Sequence, residues 1–521
     1  MKELMKKNFV VIILVILMMG VIFFYQTQKV GFHEDEAYSI ASSVNPYNGL
    51  MVAYENHEIP AEGQPTWKSR EYVKEYMSLS SENIFNIKSI YTNQIKDCHP
   101  PFFYTLVHFS TLLFGGNFTK YAVFIVNIIA FAISCFVLKK IINLLEKKHL
   151  IIGALIFYGL SMGTISMVLY QRMYMLLTMF ILMYFYYTLR IYKNNFGINK
   201  ELAIKLGITT VLGFLTQYFF AIFAVVVFMI MLIIMVKNKE YKKIKTYILL
   251  HIVYAAFGIA LFPRCFSHLL YGNRGVSNLG NTNYFTHLIT YLKHLAYSFT
   301  LNDNVIVISV VLILLVIGIV FYYKKSNNKF IMSLIIIPST IFFLVTVQLT
   351  SFQELRYIMP IIPFVVLALF LILDELINCK YKNVIIVAIS IILVLIGFIF
   401  SEPKFLYIKY ADVLEVAEDN KDKLFVYVYD NFFTHMKNIQ EMMIYKETLI
   451  LNFNKNELEY LRNDEKLLNE DSFILSIKSY MNNSEVLKEI QDVTGFTKVE
   501  SLYTGKTGTT LVDSNLYLIS K

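Results

Sequence analysis

Charge is scarce in this chain. Of its 521 residues only 16% are Asp, Glu, Lys or Arg, while 56% are hydrophobic and the mean hydropathy is +0.53. Water-soluble globules carry about 25% charged residues, so a soluble protein of this size is excluded. Cysteine is equally sparse. The four residues Cys98, Cys135, Cys265 and Cys379 form no close pair, which excludes a disulfide framework and a zinc knuckle and leaves the redox compartment open. Only 10 prolines and 21 glycines occur beside 43 phenylalanines and 37 tyrosines, which excludes a collagen-like, low-complexity or disordered chain. No internal repeat occurs at periods of about 20 to 50 residues. The basic residues form no continuous patch with interleaved aromatics, so a nucleic-acid partner is excluded too.

What the chain has instead is a series of long apolar runs. They lie at 9–24, 101–114, 121–138, 149–169, 173–189, 202–215, 217–236, 246–262, 304–322, 329–349, 358–376 and 383–400. A helix needs about 20 apolar residues to cross a bilayer, and several runs approach that length while others are short enough to tilt or re-enter. The pattern predicts a polytopic α-helical membrane protein with about 11 to 13 transmembrane helices. The first run follows Met1-Lys-Glu-Leu-Met-Lys-Lys, as a signal peptide would, but no small-residue cleavage site comes after it. A retained helix with a cytoplasmic N-terminus is expected.

The net charge of +9 is unevenly spread. From Ser401 onward there are 14 basic and 20 acidic residues, against 33 and 18 before it. Basic loops stay in the cytoplasm, so Lys237 to Lys245, Lys324-Lys325 and Lys380 to Lys382 mark inside loops of a plasma-membrane protein. Residues 264–303 and 350–357 then face out, and the chain leaves its last helix on the outer side. Lys139-Lys140 and Lys147-Lys148 resist this scheme unless 101–114 enters and leaves on one face. Two domains are expected, a transmembrane domain over 1–400 and a small extracytoplasmic α/β domain over 401–521. Within the first, the polar stretch 28–98, with the single tryptophan Trp67, is expected to hold short amphipathic helices on the outer surface. In the tail, Lys423-Leu-Phe-Val-Tyr-Val-Tyr, Thr448-Leu-Ile-Leu-Asn-Phe and Ser472-Phe-Ile-Leu-Ser-Ile have the character of short buried strands. Asn483 to Gln491 has helical spacing, and Lys498 to Ile519 predicts a hairpin around Thr504-Gly-Lys-Thr-Gly. That turn lacks the first glycine of a phosphate loop.

Polar clusters sit at the ends of the apolar runs. His33-Glu34-Asp35-Glu36 follows the first, and Asp97-Cys98-His99-Pro100-Pro101 opens the next. Tyr170-Gln171-Arg172-Met173-Tyr174, Thr216-Gln217-Tyr218 and Gln353-Glu354-Leu355-Arg356-Tyr357-Ile358-Met359-Pro360 repeat the theme. Singly, each has a bland explanation. Acids on a helix flank are commonly solvated, Pro-Pro suits the first turn of any helix, and an arginine between apolar stretches commonly snorkels to the interface.

Taken in order, these five motifs resemble the membrane-embedded glycosyltransferases related to protein O-mannosyltransferases and lipid A aminoarabinose transferases, with the fold called GT-C. The resemblance covers residues 1 to about 400, with His33-Glu34 before Asp35-Glu36 and Gln171 before Arg172 as departures. It implies an enzyme, a glycosyltransferase that takes a sugar from a polyprenyl-phosphate carrier at the outer membrane face and passes it to an acceptor hydroxyl. The acceptor is a glycan, a glycolipid or a protein. Richness in Ile, Lys and Asn suggests a bacterium, in which the carrier is undecaprenyl phosphate.

The resemblance makes Asp35 the catalytic base with Glu36 beside it, and places His99, Arg172, Tyr174, Arg356 and Tyr357 around the carrier phosphate. That division agrees with elementary chemistry. A hydroxyl nucleophile needs a carboxylate to take its proton, and a departing phosphate needs fixed cations. Phosphate leaves without a general acid, and attack from the opposite face inverts the anomeric centre. Asp97 could orient His99, hold an acceptor or help bind a divalent cation. A transporter or flippase of lipid-linked intermediates is the alternative, but it predicts inverted repeats with interrupted helices, which are not visible. A membrane anchor for the tail needs one helix, not twelve apolar runs.

Overall fold

A computed structural model describes residues 2–46, 65–270, 283–299, 305–326, 328–350, 352–429, 436–453, 455–505 and 513–521. The apolar runs form helices, because a chain in hydrocarbon must satisfy its own amides and carbonyls. Among the described residues, nine helices are long and apolar enough to cross a membrane: Asn8–Gln28, Lys120–Leu144, Tyr174–Lys193, Phe219–Lys237, Tyr241–Leu261, Val305–Lys325, Lys329–Leu349, Met359–Leu376 and Lys382–Phe400. The run at 149–169 makes a tenth only as a broken pair, Lys148–Leu160 and Met162–Leu169, bent by 54°. Ser161 causes the break: its extended backbone ends one helix, and its side chain caps the next by accepting from the Thr164 amide. The two remaining runs form shorter helices. Residues 101–114 form the helical segment Phe102–Phe114, and 202–215 lies in the 17-residue helix Lys200–Thr216, whose first turns carry Lys200, Glu201 and Lys205. The chain is a multi-pass membrane protein.

The structure divides into two compact units. The first comprises 1–25, 94–103 and 124–404 and is helical. Its outward faces are apolar, with Ile306 74% and Phe400 77% exposed, as lipid contact requires. Inside it, Lys382–Phe400 packs on Ile151–Leu160 across Gly153, where a Cβ would lie 2.9 Å from both Phe370 and Ser390 side chains. Asp374, nearly buried, gathers Lys147, Lys382 and His149, each at 2.5 Å, tying two basic segments, 147–149 and that of Lys382, into one ionic cluster.

The second unit comprises 26–93, 104–123 and 405–521. Its frame is a six-stranded sheet of β1 (Lys68–Ser69), β2 (Leu424–Tyr429), β3 (Glu447–Asn452), β4 (Ser472–Lys478), β5 (Lys498–Tyr503) and β6 (Ser514–Ser520), in the order β1-β3-β2-β4-β6-β5. β2 runs parallel to both β3 and β4 and is buried along its whole length, which explains its continuous Leu-Phe-Val-Tyr-Val-Tyr sequence. The β5–β6 hairpin forms as its sequence predicts, with β5 as an exposed edge carrying Lys498 and Glu500. Its turn, including Lys506 to Thr509, lies outside the described residues. The helix Asn483–Thr494 ends on Gly495, whose positive φ of 74° suits a residue without a Cβ.

The segment 28–98 carries the helices Glu34–Val44, Arg70–Tyr76 and Ile87–Lys96 among its described residues. It also does something its sequence did not announce. β1 pairs antiparallel with β3, and Trp67 donates from Nε1 to Asp464 Oδ2 at 2.7 Å while packing on the sheet's core. Residues 47–64 of this segment lie outside the described residues.

Beneath the sheet, Glu441 is fully buried and accepts from the Tyr410 hydroxyl at 2.8 Å and the Asn438 amide at 2.6 Å. Burial pushes its carboxyl up to about 7, against the pull of those donors and of Lys478. A carboxyl raised on folding gives stability that is complete below its unfolded value and lost as pH rises through the folded one. Glu441→Gln should therefore match the native protein in thermal stability at pH 5 and exceed it at pH 8, by at most roughly 3 kcal/mol. Unfolding scans at the two pH values check this, and a constant difference would remove Glu441 as its source.

Candidate functional site

The expected phosphate ligands come together within the helical unit. His99 lies just before the Pro100-Pro101 helix start, and its Nδ1 is 2.8 Å from Asp97 Oδ2. Its Nε2 is 3.1 Å from the Arg172 guanidinium. An arginine can only donate, so Nε2 accepts and Nδ1 carries the proton given to Asp97. His99 is thus a neutral imidazole that passes the hold of Asp97 on to Arg172. Burial pushes the Asp97 carboxyl up, but His99, the Arg172 charge and the Cys98 amide prevail and hold it well below the usual carboxylate range.

Arg356 occupies the same unit. Its guanidinium donates to the Tyr170 and Tyr357 hydroxyls and lies 5.0 Å from the centre of the Tyr357 ring and 5.7 Å from that of Tyr170. Tyr174 stacks on Tyr170, with centroids 6.0 Å apart, and meets Tyr357 edge-on at 5.8 Å. Two arginines, both nearly buried, are therefore held by an imidazole and two phenol rings, with Tyr174 packed on both phenols. Such a clamp fixes a planar fork of donors at small entropic cost, as recognition of a phosphate oxyanion requires.

Tyr170 is the residue that sequence reasoning missed. Its hydroxyl serves Arg356, and its carbonyl accepts from the Arg172 amide at 2.7 Å and from Asn127 at 2.8 Å. The available signal was an aromatic residue two positions before an arginine in an apolar run. Tyr218 of the Thr216-Gln-Tyr motif reaches His268 Nδ1 at 3.0 Å, and His268 Nε2 donates to the Ile95 carbonyl at 3.3 Å.

The ligand atoms of Asp97, Cys98 and His99 lie within 4.8 Å of one another, close enough to hold a cation. The hydrogen bonds do not fit one. His99 Nδ1 is a donor in this arrangement, its Nε2 lone pair faces Arg172, and that guanidinium repels a second cation.

The carboxylates near the first membrane helix belong to the other unit. His33 is the N-cap of Glu34–Val44: its Nδ1 accepts from the Asp35 amide at 3.1 Å, while Glu36 Oε2 accepts from the His33 amide at 2.7 Å. This is a capping box with histidine in the serine role. Asp35 sits in the first turn, where helix amides favour negative charge, and its side chain is 24% exposed. Glu36 is placed quite differently. It is fully buried against Lys29 Nζ at 3.0 Å, and Lys29 also donates to the Phe405 carbonyl at 2.5 Å. Burial pushes Lys29 down, and Glu36 pulls it back up. Glu34 meets Lys437 at 3.5 Å, and Lys437 meets Asp513 at 3.7 Å, so tail residues hold the outer face of the same turn.

No family model matches this sequence, and no curated protein matches it. In three dimensions the chain is similar to ArnT from Cupriavidus metallidurans bound to undecaprenyl phosphate, with a TM-score of 0.51 at 8% identity, covering 97% of each chain. The apo state of the same protein matches with a TM-score of 0.51 at 9% identity, again over 97% of each. ArnT is an aminoarabinose transferase with the GT-C fold. The fold of this chain, membrane helices and small sheet alike, is GT-C.

Proposed function

We propose that the protein is a glycosyltransferase that moves a sugar from a polyprenyl-phosphate carrier, undecaprenyl phosphate in a bacterium, to an acceptor hydroxyl at the outer membrane face. The observation that supports this most directly is the pair of clamped arginines, in a fold shared over 97% of both chains with a transferase solved with undecaprenyl phosphate. Arg172 and Arg356 bind the carrier phosphate and stabilise the charge it gains as the glycosidic bond breaks. Tyr174 and Tyr357 wall the phosphate, and Asp97 with His99 positions Arg172. Asp35 takes the proton of the acceptor hydroxyl as that oxygen attacks the anomeric carbon, with inversion. Glu36 is a positioning residue that fixes the turn bearing Asp35. A transporter or flippase would need no base.

The test is transfer from synthetic undecaprenyl-phosphate sugars to membrane acceptors by the purified protein in nanodiscs. Arg356→Lys and Arg172→Lys keep the charge but lose the fork, so donor affinity should fall about tenfold in each. Normal donor affinity in both variants would leave the arginines as structural groups.

The reading requires the N-terminus in the cytoplasm, and Asp35 and the sheet domain outside. Exposed Glu82 and Glu500 serve as reporter positions. In a background lacking Cys98 and Cys265, Glu82→Cys and Glu500→Cys should react with an impermeant thiol reagent on intact cells. Exposed Cys379, beside the basic Lys380 to Lys382 loop, should be protected. Labelling of Cys379 with protection of the other two would invert the topology and end the proposal.

A further inference from the structure

A groove of about 450 Å³ opens in the outer segment, and it differs in chemistry from the phosphate clamp. Its described lining is dominated by side-chain amides and hydroxyls, among them Ser80, Asn83, Asn86, Ser89 and Thr92. Ligand pockets are ordinarily apolar, so such a lining suits a ligand that is itself dense in hydroxyl groups. The amides are pre-oriented. Asn83 donates to Ser80 Oγ at 2.8 Å, and Asn86 donates to Asn83 Oδ1 at 3.0 Å while its own Oδ1 accepts from the Ser89 amide at 3.2 Å. Each amide nitrogen carries two hydrogens, so these bonds fix the planes of Asn83 and Asn86 and leave a second donor on each.

In the chain between those two asparagines, beside the groove and not in its described lining, is Phe85, 85% exposed, the highest exposure of any large hydrophobic residue described. An aromatic ring beside fixed amides is the combination that binds a sugar, whose C–H face covers the ring while its hydroxyls meet the amides. The charges in the lining are Glu75, Glu82 and Lys88, a net negative set that disfavours an anionic polymer. The groove also has a fixed relation to Asp35. Val44 and Asn45 line it at the end of the helix that Asp35 begins, and nine residues of helix put them about 14 Å apart along its axis.

We propose that this groove binds a neutral or amino-bearing glycan chain, so that the acceptor is a polysaccharide or oligosaccharide held by units distant from its reacting end. The proposal rests on the transferase reading, whose acceptor class it names. The test is saturation-transfer NMR on the full chain in nanodiscs, with mannotetraose, chitotetraose and, as the polyanionic control, a hyaluronan tetrasaccharide. At least one neutral probe should bind. The double variant Asn83→Ala/Phe85→Ala should weaken that binding at least tenfold, Glu82→Lys should admit the hyaluronan probe, and Asp35→Asn should bind as the native chain does. The groove proposal is overturned if no neutral probe binds at about 10 mM, if the double variant binds undiminished, or if hyaluronan binds the native chain equally well. It is likewise overturned if Phe85→Ala changes only association with lipid, which would assign the ring to the bilayer surface. Groove binding without carrier-dependent transfer would instead refute the transferase reading and leave the groove as a glycan site.

Discussion

Asp35→Asn should lower the rate of sugar transfer by a factor on the order of 100 to 10,000 while the protein inserts, folds and binds its donor normally. The substitution is nearly isosteric and removes only the ability to accept a proton. Local structure tolerates it, because the amide that donates to His33 Nδ1 and the carbonyl that accepts from Ser39 Oγ at 2.8 Å are both kept, while the 3.7 Å approach of the carboxylate to His33 Nδ1 loses its charge. The side chain is one-quarter exposed in the first helical turn rather than packed into the interior. Single-turnover kinetics on preloaded donor isolate the chemical step from binding. Full turnover by the variant would remove Asp35 from the mechanism and with it the reading of the outer cluster as a base.

Glu36→Ala should behave in the opposite way, costing about 3–5 kcal/mol of stability. The carboxylate and its partner Lys29 are both fully buried, and removal of one leaves the other charge uncompensated in a low-dielectric interior. The loss extends beyond the pair, because Glu36 Oε2 also closes the capping box on the His33 amide at 2.7 Å. A double variant, Glu36→Leu with Lys29→Met, should recover at least half of the loss, since an apolar pair of similar volume carries no desolvation cost. Scanning fluorimetry and size-exclusion profiles report the outcome. A Glu36→Ala protein that is as stable as the native one yet inactive would make Glu36 a partner in the chemistry and not a support of the turn.

The contrast between these neighbours bears on how far sequence reaches. Asp35-Glu36 reads as one acidic unit in the sequence, and no rule of spacing separates the two. Their separation comes from Lys29 and the Phe405 carbonyl, which fold onto one side of the turn and enclose Glu36. Likewise His99 reads as one more cation near a phosphate. Its neutral state follows only from the sandwich between an acceptor, Asp97, and an obligate donor, Arg172, brought in from the break between two later helices.

The sequence by itself determined the membrane helices and the strands β2 to β6, and marked the polar ends of apolar runs from which the arginine cluster gathers. Each of these is written in local pattern: apolar run length, continuous buried strand character, or a polar group at the end of an apolar segment. Tertiary structure alone decided the break at Ser161, the pairing of β1 and Trp67 with a sheet built from the tail, the bridging role of Tyr170 and the burial of Glu36. These depend on partners far apart in the chain, whose meeting is fixed by packing and by the need to satisfy every buried polar group. Neither requirement leaves a mark in the spacing of neighbouring residues.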